Sequence, residues 1–387
     1  MTLQTSVGVG AEDFVADEGL APRPKTSAKS DIRIPALDGL RGLMTLFVIL
    51  SHFYGEVPHG FGYACVGWTA VLVFFVLSGY LVGRLIIEKM DSSNFLSVFY
   101  LRRVCRTFPT YFAATLVILG LLWVIGDVKW LDRDPKFPVW SYLIFVQNYF
   151  LVQMESPGAH WLSPTWTLAL EEQFYLVAPF LLMLTPRRAW LPLMIGLSLL
   201  GLGLRCGGVL RGDLSLAPVA LLPTSADVLL AGMILAVLVK DDVIDWNKYS
   251  LHVRMTPIIC MLLTFVAQRF DGGVVGPRFE ILGPFLMSIG AAAFILTLVK
   301  GAPEAPRFEG RVLRFFGQIS YSVYLTHLAV LGLMHGLILG SLPDISTPAQ
   351  IAVTTAAFPV TVLLSWIMTK VLEEPITEWG RRHRWVS

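Results

Sequence analysis

The stretch Asp38–Tyr54 reads DGLRGLMTLFVILSHFY and sets an arginine and a histidine into an otherwise apolar run. Arg41 and His52 are eleven residues apart. On one helix that is about three turns, so the two side chains share nearly the same face and lie about 16 Å apart along the axis. A bilayer's hydrocarbon core is about 30 Å thick, which puts the guanidinium near one interface and the imidazole about mid-depth or beyond. Ionisable groups at such depth are costly unless they face a polar interior. The spacing therefore predicts a polar cavity running along this helix.

The rest of the chain supplies the setting. With 55% hydrophobic residues, 15% charged residues and a mean hydropathy of +0.65, the composition is that of an all-α polytopic membrane protein rather than a soluble domain. The net charge of +2 says little by itself, and nothing supports nucleic-acid binding. Cys65, Cys105, Cys206 and Cys260 are scattered without CxxC or CxxH spacing and read as small buried hydrophobes, with a Cys65–Cys206 pairing across outer loops as the alternative. Residues 1–33 are polar and hold no apolar core of signal-peptide length, so they read as a flexible cytoplasmic tail.

Apolar runs fall at about 39–55, 67–87, 108–126, 139–152, 166–184, 189–204, 222–239, 255–268, 281–299, 317–340 and 348–371. The fourth is short and contains Gln147 and Asn148, which predicts a short or re-entrant piece and leaves ten crossings. Basic clusters then alternate as the positive-inside rule requires. The loops with Lys89, Arg102, Arg103 and Arg106, with Arg187 and Arg188, from Lys240 to Arg254 and from Lys300 to Arg314 fall on one side. So do the N-terminal tail and a basic C-terminal segment, 380–387, with Arg381, Arg382 and Arg384. Both termini are expected to be cytoplasmic, with 34–379 as the membrane domain, Arg41 toward the cytoplasm and His52 toward the outside.

Three clusters could carry chemistry. In FYLRRVCRTFPTYF, Arg103 and Arg106 share a helix face and Arg102 adds a third charge, which suits phosphate clamping; alone, such a cluster is also a topology signal that snorkels to headgroups. In HWLSPTWTLALEEQFYL, Glu171 and Glu172 point about 100° apart, so at most one faces a given partner. Either could pair with His52 or Arg41, and a carboxylate that orients an imidazole makes it a better general base. A structural ion pair is the plainer reading. In FGQISYSVYLTHLAVL, Ser320, Tyr321, Tyr324 and His327 form a polar stripe that is either interhelical glue or a cavity wall. Ser78, Tyr80 and Asp227 are further intramembrane polar groups. No HExxH spacing or GxSxG elbow occurs, so neither a metal site nor a serine hydrolase is expected.

Six motifs together resemble the acyltransferase 3 family of membrane-bound O-acyltransferases. They are LDGLRGLMTLFVILSH with its Arg41-to-His52 spacing, FFVLSGYLVGRLI, the RxxR of Arg103 and Arg106, WTLALEEQFYL, SYSVYLTH and the terminal EEP of Glu373 to Pro375, spread over about Ile34 to Trp379. The resemblance implies a ten-helix enzyme of the cell membrane. Such an enzyme moves an acyl group, usually acetyl, from cytoplasmic acyl-CoA to a hydroxyl of a sugar, polysaccharide, lipo-oligosaccharide or glycosylated natural product. In that frame Arg103 and Arg106, with Arg102, look like ligands of the CoA phosphates, and Arg41 faces the donor side. His52 looks like the base or a transient acyl carrier, with Glu171 or Glu172 orienting or charge-balancing it. Tyr321, His327 and Trp166 are the candidate substrate-binding residues. The sequence stops soon after its last span, which suggests the stand-alone form without an appended extracytoplasmic domain. The rivals are an exporter of acylated glycans, which an inverted repeat would favour, and a scaffold binding anionic lipid, which leaves the buried charges without a purpose.

Overall fold

The computed structural model describes residues 34–386 apart from 63, 127, 132–135, 213–216 and 273–275, and of 64–66, 217 and 218 only the backbone. The expected N-terminal tail and the side chain of Cys65 lie outside the described residues. Cys105 and Cys260 are buried free thiols, and Cys206 is a partly buried one.

All regular structure among the described residues is helical. Helix α1 spans Pro35–Leu50 and runs on through a π-helical turn, Ser51–Gly55. It is followed by α2 (Ala64–Lys89), α3 (Phe95–Ile125), α4 (Thr165–Met183), α5 (Trp190–Leu210) and α6 (Leu222–Lys240). Then come α7 (Trp246–Phe270), α8 (Pro277–Val299), α9 (Arg311–Leu339) and α10 (Pro348–Met368). A second π turn, Thr369–Glu373, leads into the short α11, Glu374–Arg381.

Nine helical segments among the described residues are long and apolar enough to cross a membrane. The remaining expected crossing is α4, whose nineteen residues suffice in length but whose Glu171, Glu172 and Gln173 lower its apolarity. The run expected to be short or re-entrant is two short helices, Val139–Leu143 and Gln147–Gln153. Several of their polar groups find partners within the protein: the Gln147 amide N–H donates to the Tyr111 hydroxyl (3.1 Å) and the Thr165 carbonyl (2.9 Å), and Asn148 exchanges hydrogen bonds with Gln173. Irregular backbone at membrane depth is tolerated only with such internal partners.

One boundary differs from the sequence expectation in a way that matters. Helix α3 begins at Phe95, so Arg102, Arg103 and Arg106 stand two to three turns inside it instead of in the preceding loop. The apolar run starts later than the helix because this part of α3 is amphipathic, with cations facing the protein interior.

Close helix contact fixes the position of Arg41. A Cβ on Gly42 would overlap the carbonyl of Leu313, and one on Gly317 would overlap that of Asp38, so α1 and α9 meet backbone to backbone at this level. Elsewhere the interior holds a wholly structural ion pair. Arg205 on α5 and Asp227 on α6 are 0% and 3% exposed and form a bidentate pair at 2.9 and 2.6 Å, with Arg205 also donating to the Thr224 carbonyl. Removing one partner leaves a bare buried charge, which costs roughly 3–5 kcal/mol. Arg205→Ala is therefore expected to lower the unfolding temperature of the purified protein sharply. Joint replacement, Arg205→Met with Asp227→Leu, should restore much of the loss.

Candidate functional site

A cavity open to solvent, with about 940 Å³ of unfilled space including part of that solvent, lies between α1, α2, α3, α4 and α9. Its charged lining is Arg41 from α1, Arg103 and Arg106 from α3, and Glu171 and Glu172 from α4. Tyr175, Tyr321 and Tyr324 complete the polar wall, while Val48, Val71, Phe74 and Phe75 make it apolar along α1 and α2. Six residues expected at a site, Arg41, Arg103, Arg106, Glu171, Glu172 and Tyr321, thus converge on one space.

The bonding of the cations is unusual. Arg41, Arg103 and Arg106 make no side-chain hydrogen bond among the described residues, and the buried Nε of Arg41 has no partner. Arg103 lies over the ring of Tyr175 at 4.6 Å, which orients the guanidinium by its face and leaves its N–H edge free. Nearby acids do not cap these groups. Glu171 accepts from Ser78 (2.7 Å) and Tyr175 (3.3 Å) and acts on Arg41 only through space. Glu172 lies within electrostatic reach of Arg103 and Arg106. Three guanidiniums with open donors in one apolar-walled cavity form a receptor for a multiply charged anion.

His52 stands one turn beyond Val48, and His327 one turn beyond Val323, so both lie past the opposite end of the cavity from the arginines. The π turn carries His52 there; such insertions frequently re-aim a functional side chain. His52 Nδ1 is 2.6 Å from His327 Nε2, and the ring planes lie 12° apart. His327 Nδ1 is 3.0 Å from the Val323 carbonyl. A carbonyl only accepts, so His327 Nδ1 carries a proton, and in the neutral ring its Nε2 must accept. His52 Nδ1 is then the donor, which leaves His52 Nε2 with a free lone pair. That nitrogen faces Glu56 Oε2 at 3.5 Å, while Glu56 Oε1 accepts from Ser51 at 2.9 Å. Burial pushes the Glu56 carboxyl above its ordinary range, with the Ser51 hydrogen bond opposing.

The placement departs from the expected one at several residues. Neither Glu171 nor Glu172 lies at His52; both line the cavity at the arginine end, and the imidazole of His52 meets His327 and Glu56 instead. Glu56 was missed, although its place four residues after His52 is a helical spacing that could have flagged it. Arg102 also departs from its expected place with Arg103 and Arg106. Its Nη2 donates to the carbonyls of His383 (2.8 Å) and Arg381 (3.4 Å), because one residue's rotation turns it away from the cavity. Trp166 lies outside the cavity lining, packed against Trp68 and Phe75 at 5.9 and 6.3 Å. Tyr321 lines the cavity and donates to the Thr107 carbonyl at 2.9 Å.

The Arg102 contacts make a prediction. Arg102→Ala should release the segment around 381–386, so that limited trypsin digestion cuts there several times faster than in the parent protein while the helical core stays intact. An unchanged cleavage rate would show that Arg102 does not hold it.

Among curated proteins, the chain is 29% identical to a candidate O-acetyltransferase of Staphylococcus aureus (strain COL), over 78% of this chain and 51% of that protein. It is 27% identical to the candidate peptidoglycan O-acetyltransferase YrhL of Bacillus subtilis (90% and 56%). It is 26% identical to the peptidoglycan O-acetyltransferase OatA of Listeria monocytogenes (80% and 51%). The chain spans about half the length of these relatives. No solved structure matches. The acyltransferase-domain model of the acyltransferase 3 family matches residues 34–370, nearly the whole described fold, and the chain belongs to that family.

Proposed function

We propose that this protein is a membrane O-acyltransferase that takes an acyl group, most simply acetyl, from an acyl-CoA and passes it to a hydroxyl of a carbohydrate or glycosylated acceptor. The observation that carries the reading is the polarity along α1 and α9: three guanidiniums with open donors line the cavity, and an imidazole pair with a free lone pair stands one helical turn beyond its Val48 and Val323 wall. A CoA thioester has the matching form, a polyphosphate head on a long arm with its reactive carbonyl at the tip. The names of OatA, a peptidoglycan O-acetyltransferase, and of YrhL, a candidate one, support acetyl transfer and a carbohydrate acceptor.

In this mechanism Arg103 and Arg106 hold the donor phosphates, with Arg41 beside them. The acceptor hydroxyl donates to His52 Nε2, which removes its proton as the oxygen attacks the thioester carbonyl. The carbon–sulfur bond then breaks, and the proton passes from the imidazolium to the departing thiolate. His327 is the positioning residue: it holds His52 Nδ1 in the protonated tautomer and so keeps Nε2 basic. The distribution of basic segments supports an arginine end at the cytoplasmic face, where acyl-CoA is made, and a histidine end toward the outer face of the cell membrane.

General-base catalysis contributes roughly 10²- to 10⁴-fold, so His52→Ala should reduce transfer by that order while the protein remains in the membrane. Mass spectrometry of surface glycans and secreted metabolites from a deletion strain carrying either the parent gene or His52→Ala tests this. Loss of one acyl mass increment in both the deletion and the variant is expected, and near-normal product from His52→Ala would remove it from the mechanism. His327→Ala should lower turnover with little change in apparent affinity for acyl-CoA, whereas Arg103→Ala with Arg106→Ala should chiefly weaken that affinity.

A further inference from the structure

Beside the arginine end of the cavity, the segment Arg381–Val386 leaves α11 and lies along the start of α3. Its backbone is tied down along its length. Ser93 N–H donates to the Val386 carbonyl, the Asn94 side-chain amide donates to the Arg384 carbonyl, and Val386 N–H donates back to Asn94 Oδ1, each at 2.9 Å. Arg102 adds its two bonds to the carbonyls of Arg381 and His383, and its guanidinium lies 4.9 Å over Trp385, which in turn stacks on Phe95 at 5.8 Å. Close approach at the base of the segment depends on Gly380, where a Cβ would press into Cys105.

Fixing six residues costs backbone entropy. What this ordering achieves is the placement of charge. Arg382 and Arg384 are brought onto the helix that carries Arg103 and Arg106 into the cavity. Their side chains are exposed and form no ion pair among the described residues. Cations gathered along one helix raise a positive potential that attracts an anion.

We propose that the docked segment forms an outer anion subsite, in which Arg382 and Arg384 receive the ribose 3′-phosphate of the CoA donor while Arg103 and Arg106 take its pyrophosphate. This rests on the acyl-CoA reading above and extends it: the donor is recognised at two separate anionic points, and Arg102 is the clamp that builds the outer one. An anionic lipid headgroup offers the same phosphate chemistry, so the test must separate the two sources.

The experiment is calorimetric titration of the full chain in nanodiscs of neutral lipid with acetyl-CoA and with acetyl-3′-dephospho-CoA, for the parent protein and for Arg382→Ala with Arg384→Ala. Charge-assisted hydrogen bonds are worth about 1.5–3 kcal/mol, so the parent should bind acetyl-CoA at least about tenfold more tightly than the dephospho analogue. The double variant should lose that preference, with its affinity for the dephospho analogue and its melting temperature unchanged. A preference that persists in the variant overturns the subsite while leaving the donor reading intact. Failure of the parent to bind either thioester overturns the donor reading and the subsite with it. If the substitutions act only when phosphatidylglycerol is included in the nanodiscs, the arginines contact lipid and the subsite is wrong.

Discussion

The structure depends on keeping cations inside a membrane domain without neutralising them. An isolated arginine at the bilayer centre costs at least about 2.5–3.5 kcal/mol. This chain meets that cost in two different ways. Arg205 has its charge paired bidentately with Asp227 and donates to the Thr224 carbonyl. Arg41, Arg103 and Arg106 have no such bidentate partner, sharing a cavity with Glu171 and Glu172 that offsets their charge through space while leaving their N–H groups available. A bidentate carboxylate on them, as at Arg205, would occupy those N–H groups.

Much of the helix geometry follows from that arrangement. The backbone contact between α1 and α9 at Gly42 and Gly317 sets Arg41 against the cavity, and the early start of α3 carries Arg103 and Arg106 to the same level. On the far side of Val48 and Val323 the same two helices, α1 and α9, supply both histidines. One helix pair thus carries Arg41 at one level and both histidines at another, so the distance between them is fixed by rigid elements and not by loops. The proposed transfer between ligands entering from opposite faces requires such a fixed span.

The sequence made the residue types legible, and spacing along one helix made some of their positions legible too. Arg41 and His52 follow from the helical repeat, because both belong to one element. Contacts between elements are not encoded in spacing, and that is where expectation departed from structure. A carboxylate was the chemically reasonable partner for His52, yet α4 faces the arginines, and it is α9 that meets the π turn. Arg102 and Arg103 are neighbours in sequence, but about 100° of rotation sends one to the segment 381–386 and the other into the cavity. Hydropathy hid the first turns of α3 for a related reason: an amphipathic helix with buried cations reads as a loop when only apolar runs are counted.

In the proposed mechanism the histidine end also constrains the acceptor. His52 Nε2 presents a lone pair, and Glu56 in its ionised form presents only acceptor oxygens, with one of them already held by Ser51. The remaining oxygen faces the nitrogen at 3.5 Å, too far for a hydrogen bond and unfavourable between two acceptors. The pair is relieved by a molecule that brings donors to both. A single alcohol can serve only one of them, whereas adjacent hydroxyls, as on a sugar ring, can give one proton toward His52 and another toward Glu56. That geometry favours a polyol over a simple alcohol and places the reacting oxygen on the His52 side, nearest the cavity from which the acyl group arrives.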